Sequence, residues 1–125
     1  DDLNYEDVVA EIRDYLIARR DQCVDQGIMP ERVCLDPGIG FGKSHQQNLQ
    51  LLRATETFVD LGSPLLIGHS RKGFIRKTLG DASADPLAGT LGVTLAVAAA
   101  GAHVVRVHDV AESVQALKLF RASRP

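Results

Sequence analysis

At 125 residues, with 45% hydrophobic and 24% charged side chains, the chain fits one ordinary globular domain with enough apolar material for a core. A formal net charge of −2 argues against a general affinity for nucleic acid or for an anionic membrane surface, so any cationic site must be local. The longest apolar stretch, Leu91 to Ala100, is too short and too alanine-rich to span a bilayer, and the acidic opening Asp1-Asp2 does not read as a signal peptide; a cytoplasmic protein is the expectation.

From Tyr5 to about Gln26, the residues Val8, Val9, Ile12, Tyr15, Leu16, Ala18 and Cys23 recur at helical spacing, and Gly27 follows as a stop. Val33-Cys34-Leu35 reads as a short buried strand ending at Asp36. Cys23 and Cys34 have no metal-ligand spacing around them and are expected to be buried free thiols. After a glycine-rich loop, a second helix runs from about Gln46 to Asp60, with Leu49, Leu51, Leu52, Phe58 and Leu61 on its inner stripe.

Gly62-Ser63-Pro64 breaks that helix, and Leu65-Leu66-Ile67-Gly68 reads as the next strand. A short helical turn, Phe74 to Leu79, leads into the polar loop Gly80 to Asp85. Pro86 then opens a helix to about Ala100, apolar nearly all round and therefore expected to be buried. Ala102 to Val107 forms the third strand, and Val110 to Ala122 a final amphipathic helix.

A helix followed by three strand-helix units implies parallel strands joined by right-handed crossovers and flanked by helices, an α/β fold. Three such strands leave open edges and one uncovered face. The pattern matches the last three strand-helix units of a (β/α)8 barrel of the TIM type, with the preceding helix attached, so residues 1–125 read as the carboxyl-terminal part of a barrel domain.

Three polar clusters stand where strands hand over to loops: Asp36-Pro37-Gly38-Ile39-Gly40-Phe41-Gly42-Lys43, Ser70-Arg71-Lys72 and Arg106-Val107-His108-Asp109. Parallel folds place their chemistry at the carboxyl ends of strands, so the three suggest one shared site. Asp36 can accept paired N–H bonds from an amidine-like heterocycle or simply form an Asp-Pro-Gly turn. Phe41 offers a flat face over a ring, while Lys43 is expected to be a solvated loop charge. Gly68 closes the second strand. Beyond it Lys72 can donate to a carbonyl oxygen or ring nitrogen, the backbone amides after it can receive a carboxylate, and Arg71 serves equally well as a structural ion-pair partner. Arg106 and His108, two apart on a strand, point to the same side and suit a phosphate or diphosphate, with Val105 and Val107 on the other. Asp109 is expected to cap the last helix rather than orient His108. His45, His69 and His103 have no comparable partners and are expected to carry no function.

With these motifs in hand, the chain resembles the carboxyl-terminal part of dihydropteroate synthase, in which Asp-Pro-Gly-x-Gly-Phe-Gly-Lys, Ser-Arg-Lys and Arg-Val-His-Asp occur in this order; the likeness runs over essentially the whole chain, including Gly89-Thr90-Leu91. The resemblance implies a pterin-binding (β/α)8 barrel. It makes para-aminobenzoate displace diphosphate from 6-hydroxymethyl-7,8-dihydropterin diphosphate, yielding 7,8-dihydropteroate. It places Asp36 on the pterin amino and ring N–H groups, Lys72 on the pterin oxygen and ring nitrogen, Phe41 beside the rings and Gly68 among the substrate-binding positions. Arg106 and His108 hold the diphosphate, and Lys72, Arg106 and His108 form the catalytic set. The resemblance further implies Mg²⁺, bound by the diphosphate and by strands outside this stretch rather than by residues within it, and a homodimer or other self-association. A chain holding only these strands is expected to be inactive alone. Two other readings are a methyltetrahydrofolate-binding domain of a corrinoid methyltransferase, against which Arg106 and His108 argue, and a non-catalytic self-associating fragment.

Overall fold

A computed structural model describes residues 5–125; the opening Asp1-Asp2 lies outside the described residues. The first helix, α1 (Val8–Asp25), begins where Asp7 caps it: Asp7 Oδ1 accepts from the Ala10 N–H at 3.1 Å, and Glu11 Oε2 reaches back to the Asp7 N–H at 3.0 Å. Val8 and Leu16 are buried and Val9, Ile12 and Cys23 half-buried, whereas Tyr15 and Ala18, expected on the same stripe, face outward. A single 3₁₀ turn at Pro30–Arg32 leads to Leu35.

The predicted helix from Gln46 to Asp60 is two helices, α2 (His45–Arg53) and α3 (Thr55–Val59), broken at Ala54. Thr55 turns its hydroxyl back onto the Leu52 carbonyl at 2.6 Å, a local bond that competes with regular helix there. Leu51 and Phe58 are nevertheless fully buried, so the inner stripe survives the break. Ser44 and Gln47 form a reciprocal capping box that starts α2. After β1 (Leu66–Ile67) come α4 (Gly73–Leu79), α5 (Leu87–Ala99), β2 (Val104–Val105) and α6 (Val110–Ala122).

All the pairing among the described residues is parallel. Leu35 bridges Leu65, and β1 pairs β2 with Leu66 opposite Val104 and Ile67 opposite Val105. The expected strands therefore exist, but the first shrinks to one bridge and the others to two residues each. The Val33–Leu35 segment has a partner on one side only among the described residues, which limits its regular ladder.

Side-chain alternation sorts the sheet into two faces. Leu35, Leu65 and Ile67 are buried, and with Val105 they face the helices. Cys34, Leu66 and Val104 alternate onto the opposite face, where Cys34 and Val104 are exposed. Cys34 is thus not the buried thiol expected, and Cys23 is only half-buried. Asp36, Gly68, Arg106 and His108 continue the parity of the uncovered face.

The α5 helix is also less buried than its composition suggests. Its inner stripe is Thr90, Thr94 and Val97, so two of the three buried positions carry hydroxyls. No helix among the described residues is long and apolar enough to cross a membrane.

Candidate active site on the carboxyl rim

Because the strands are parallel and in register, the loops after Leu35, β1 and β2 leave from one edge. Asp36 Oδ1 accepts from the Gly38 N–H at 2.9 Å, closing the expected turn, while Oδ2 lies 3.8 Å from Arg106 Nη1. One Asp36 oxygen therefore makes the expected turn, and the other faces the rim.

The glycine loop is drawn tight by groups from three directions. Asn48, buried on α2, accepts from the Gly40 N–H at 2.8 Å. Lys72 Nζ donates to the Ile39 carbonyl and sits 4.4 Å from the centre of the Phe41 ring. Lys43 Nζ donates to the carbonyls of Gly38 and Phe41, each at 2.8 Å. Lys43 is therefore a clamp within the loop and not the solvated charge expected. Burial pushes the Lys43 ammonium below its usual range, with Lys72 adding to the effect and Asp36 opposing it. Burial likewise lowers Lys72, followed by repulsion from Arg106, against the pull of Asp36. At Gly40, φ is +89° and a Cβ would fall 2.6 Å from Lys72 Cδ, so the Lys72 stem passes over a position open only to glycine.

On the other side of Lys72, a cleft of about 210 Å³ is lined by Gly68, Ser70, Lys72, Arg106, Val107 and His108. The Gly68 position leaves room for Arg106: a Cβ there would stand 2.5 Å from Nη2. Ser70 Oγ is 2.8 Å from His108 Nδ1 and also accepts from the His108 N–H at 3.2 Å. This fixes the imidazole through Nδ1, with Nε2 on the opposite edge of the ring. Phe41, Lys43, Lys72 and Gly73 line a second cleft of about 250 Å³, so Lys72 stands between the two.

Arg71 lies beside the clefts but pairs outward. Its Nε and Nη2 donate to Asp109 Oδ2 and Oδ1 at 3.1 and 2.6 Å, and the bidentate bond holds the Asp109 carboxyl below its usual range. Asp109 occupies the cap position of α6 yet makes no side-chain cap bond, because this guanidinium takes both oxygens. Arg71 also adopts φ 57°, a left-handed conformation that costs a non-glycine residue about 1–2 kcal/mol.

Of the histidines set aside from the sequence, His103 Nδ1 accepts from the Leu65 N–H at 3.0 Å and extends the strand pairing, and His45 lies on the wall of the second cleft. His69 is fully buried, with Nε2 3.1 Å from the Thr90 carbonyl and 2.8 Å from Thr94 Oγ1, and burial holds its imidazole below the usual range. The missed groups share one signal. Asn48, Thr90 and Thr94 are polar residues at inner-stripe positions of otherwise apolar helix faces.

Among the described residues, no group of three or more His, Cys, Asp or Glu converges to hold a metal ion, and the Asp36 carboxylate faces a guanidinium. These residues do not fit a Mg²⁺ site of their own.

The observations define a class, a parallel-stranded α/β protein that gathers an acceptor, an aromatic face and several cations on the carboxyl rim of its strands. Residues 1–108 match the model of the pterin binding enzyme family, and the chain belongs to that family. Over 122 residues it is 46% identical to dihydropteroate synthase of Neisseria meningitidis serogroup B, covering 94% of this chain and 43% of that protein. Among solved structures, it superimposes on dihydropteroate synthase from Stenotrophomonas maltophilia, with imidazole bound in the active site, at a TM-score of 0.92 and 37% identity, covering 98% of this chain and 47% of that one. The enzyme from Xanthomonas albilineans in complex with 7,8-dihydropteroate gives 0.91 and 40%, covering 98% and 48%. The chain thus spans under half the length of these relatives.

Proposed function

We propose that this chain is the carboxyl-terminal part, residues 1–125, of a dihydropteroate synthase built on a (β/α)8 barrel. The observation that carries the reading is the meeting of Asp36, Lys72 and Arg106 on one rim, with Asp36 Oδ2 3.8 Å from Arg106 Nη1 and Lys72 over the Phe41 ring. The uncovered sheet face supports the barrel: exposed Cys34 and Val104 lie on the same side as the site residues, where further strands would enclose them.

In this reading the free edge of Asp36 accepts two N–H bonds from the aminopyrimidine side of the pterin, because its carboxylate geometry matches two adjacent donors. Arg106 then exchanges its long contact with Asp36 for the diphosphate. Lys72 donates to the pterin oxygen and ring nitrogen, and its lowered pKa reflects a partly desolvated ammonium held by carbonyl and ring. The open Phe41 ring lies beside the pterin and the aminobenzoate ring. His108, oriented by Ser70, turns Nε2 to the diphosphate. Gly68 serves the ligand by clearing space for Arg106.

The bond between the pterin methylene carbon and the diphosphate oxygen breaks, and its electron pair leaves with the diphosphate. The amine of para-aminobenzoate forms the new carbon–nitrogen bond and loses a proton. Arg106 and His108 stabilise the departing anion while Lys72 holds the pterin, and the rim positions the two substrates, so no covalent residue is needed. A Mg²⁺ accompanying the diphosphate would take its protein ligands from strands other than these three. The whole enzyme is a cytoplasmic homodimer, and this chain by itself is inactive until the remaining strands close the barrel. The relatives described above do not favour a corrinoid methyltransferase.

The test is diphosphate release from the pterin substrate, with and without para-aminobenzoate, for this chain alone and for a version carrying the remaining strands. Release dependent on aminobenzoate in the longer protein supports the reading. Methyl transfer from a one-carbon donor instead, or no release by the longer protein, overturns it.

A further inference from the structure

The loop that carries Ser70 and Lys72 is held from below by groups the site does not use. The Arg71 N–H donates to Thr90 Oγ1 on α5 at 3.0 Å, at the residue whose backbone is left-handed. The carbonyl of the same Thr90 accepts from Thr94 Oγ1 at 2.9 Å and lies 3.1 Å from His69 Nε2. Thr94 Oγ1 is in turn 2.8 Å from His69 Nε2. All three side chains are fully buried.

Thr90 therefore grips the loop at two points. Its carbonyl holds the His69 ring, and its hydroxyl holds the amide between Ser70 and Arg71. Between and beside these points stand the residues that face the rim: Ser70, whose Oγ meets His108 Nδ1, and Lys72, whose Nζ meets the Ile39 carbonyl and the Phe41 ring. Fixing that peptide plane sets the direction in which the left-handed Arg71 sends the chain, and so where the Lys72 stem begins. A valine fills nearly the same volume but cannot accept the bond, leaving the part-buried Arg71 N–H without it.

We propose that Thr90 is a positioning residue: its hydroxyl, bonded to the Arg71 amide, sets the backbone from which Lys72 and Ser70 reach the substrate. The catalytic part rests on the function proposed above, whereas the anchor rests on the hydrogen bonds alone.

The experiment compares Thr90→Val with Thr90→Ser in the enzyme carrying the remaining strands. The expected result is a fall of about tenfold in kcat/KM for the pterin diphosphate in the valine variant, expressed in kcat as well as KM, with the serine variant within about twofold of the unaltered enzyme. Amide hydrogen exchange at Arg71 should quicken in the valine variant and not in the serine variant. A purely structural threonine would lower melting temperature without this rescue pattern. Equal impairment of the two variants, a valine variant with unchanged kinetics, or unchanged exchange at Arg71 overturns the proposal. If the valine variant does not fold, Thr90→Ala against Thr90→Ser poses the same question. Should the unaltered enzyme form no dihydropteroate, the reaction assigned above falls, and the exchange comparison still decides the anchor.

Discussion

A Cβ on Gly68 would stand 2.5 Å from Arg106 Nη2 and 3.0 Å from Cζ, so the Arg106 guanidinium occupies space that only a glycine at the end of β1 leaves free. Gly68→Ala displaces the far end of a flexible side chain and leaves the fold intact. Affinity for the pterin diphosphate should fall about tenfold, with the unphosphorylated pterin changed by less than about twofold. Calorimetric titration of both ligands into the enzyme carrying the remaining strands checks this. Arg106→Ala should show the same selectivity with a larger loss; equal loss of both ligands would show that the guanidinium does not serve the diphosphate.

Asp36→Asn separates the two tasks of that side chain. The amide oxygen can still accept from the Gly38 N–H, so the turn persists, and the exposed contact with Arg106 contributes little to stability. Unfolding free energy should change by less than about 1 kcal/mol. The loss of a charged acceptor for two pterin N–H groups should lower kcat/KM by about a hundredfold or more. Urea unfolding and steady-state kinetics on one preparation check both halves, and unaltered kinetics would remove Asp36 from the site.

Lys43→Met tests the clamp. The ammonium donates to two carbonyls of the glycine loop, and its loss leaves both to solvent while freeing the backbone beneath Phe41. Stability should fall by about 1–2 kcal/mol, and KM for the pterin should rise severalfold. A variant as stable and as active as the unaltered protein would return Lys43 to the status of a solvated charge.

The pH dependence of stability should carry a contribution from His69. Burial depresses its folded pKa, so the unfolded chain binds a proton that the folded chain refuses. The contribution is fully present above the unfolded value of about 6.5 and is lost as pH falls from there toward the depressed folded value. Urea midpoints between neutral and mildly acidic pH should decline more steeply for the unaltered protein than for His69→Met. The other histidines are common to both, so the difference isolates this ring, and parallel curves would show that His69 is not buried neutral.

The candidate site was legible because its residues stand in local motifs. Asp-Pro-Gly, Ser-Arg-Lys and Arg-Val-His-Asp each follow an apolar run, and a parallel arrangement brings the ends of such runs to one edge. What sequence patterning obscured was the partner of each charge. Lys43 read as solvated and Asp109 as a helix cap because spacing along the chain reports the nearest neighbours. Their actual partners are two carbonyls of a folded-back loop and a guanidinium 38 positions away.

By itself, then, the sequence determined the helix and strand order, the parallel class and the rim residues, since periodicity, breakers and strand-end clusters are local properties of the chain. Only the tertiary structure decided that α2 and α3 are separate, that Cys34 and Val104 face away from the helices, and that hydroxyls on α5 grip the loop of Lys72. Those outcomes depend on what packs against each face, and hydrogen bonds between distant segments exist only once the chain has closed on itself.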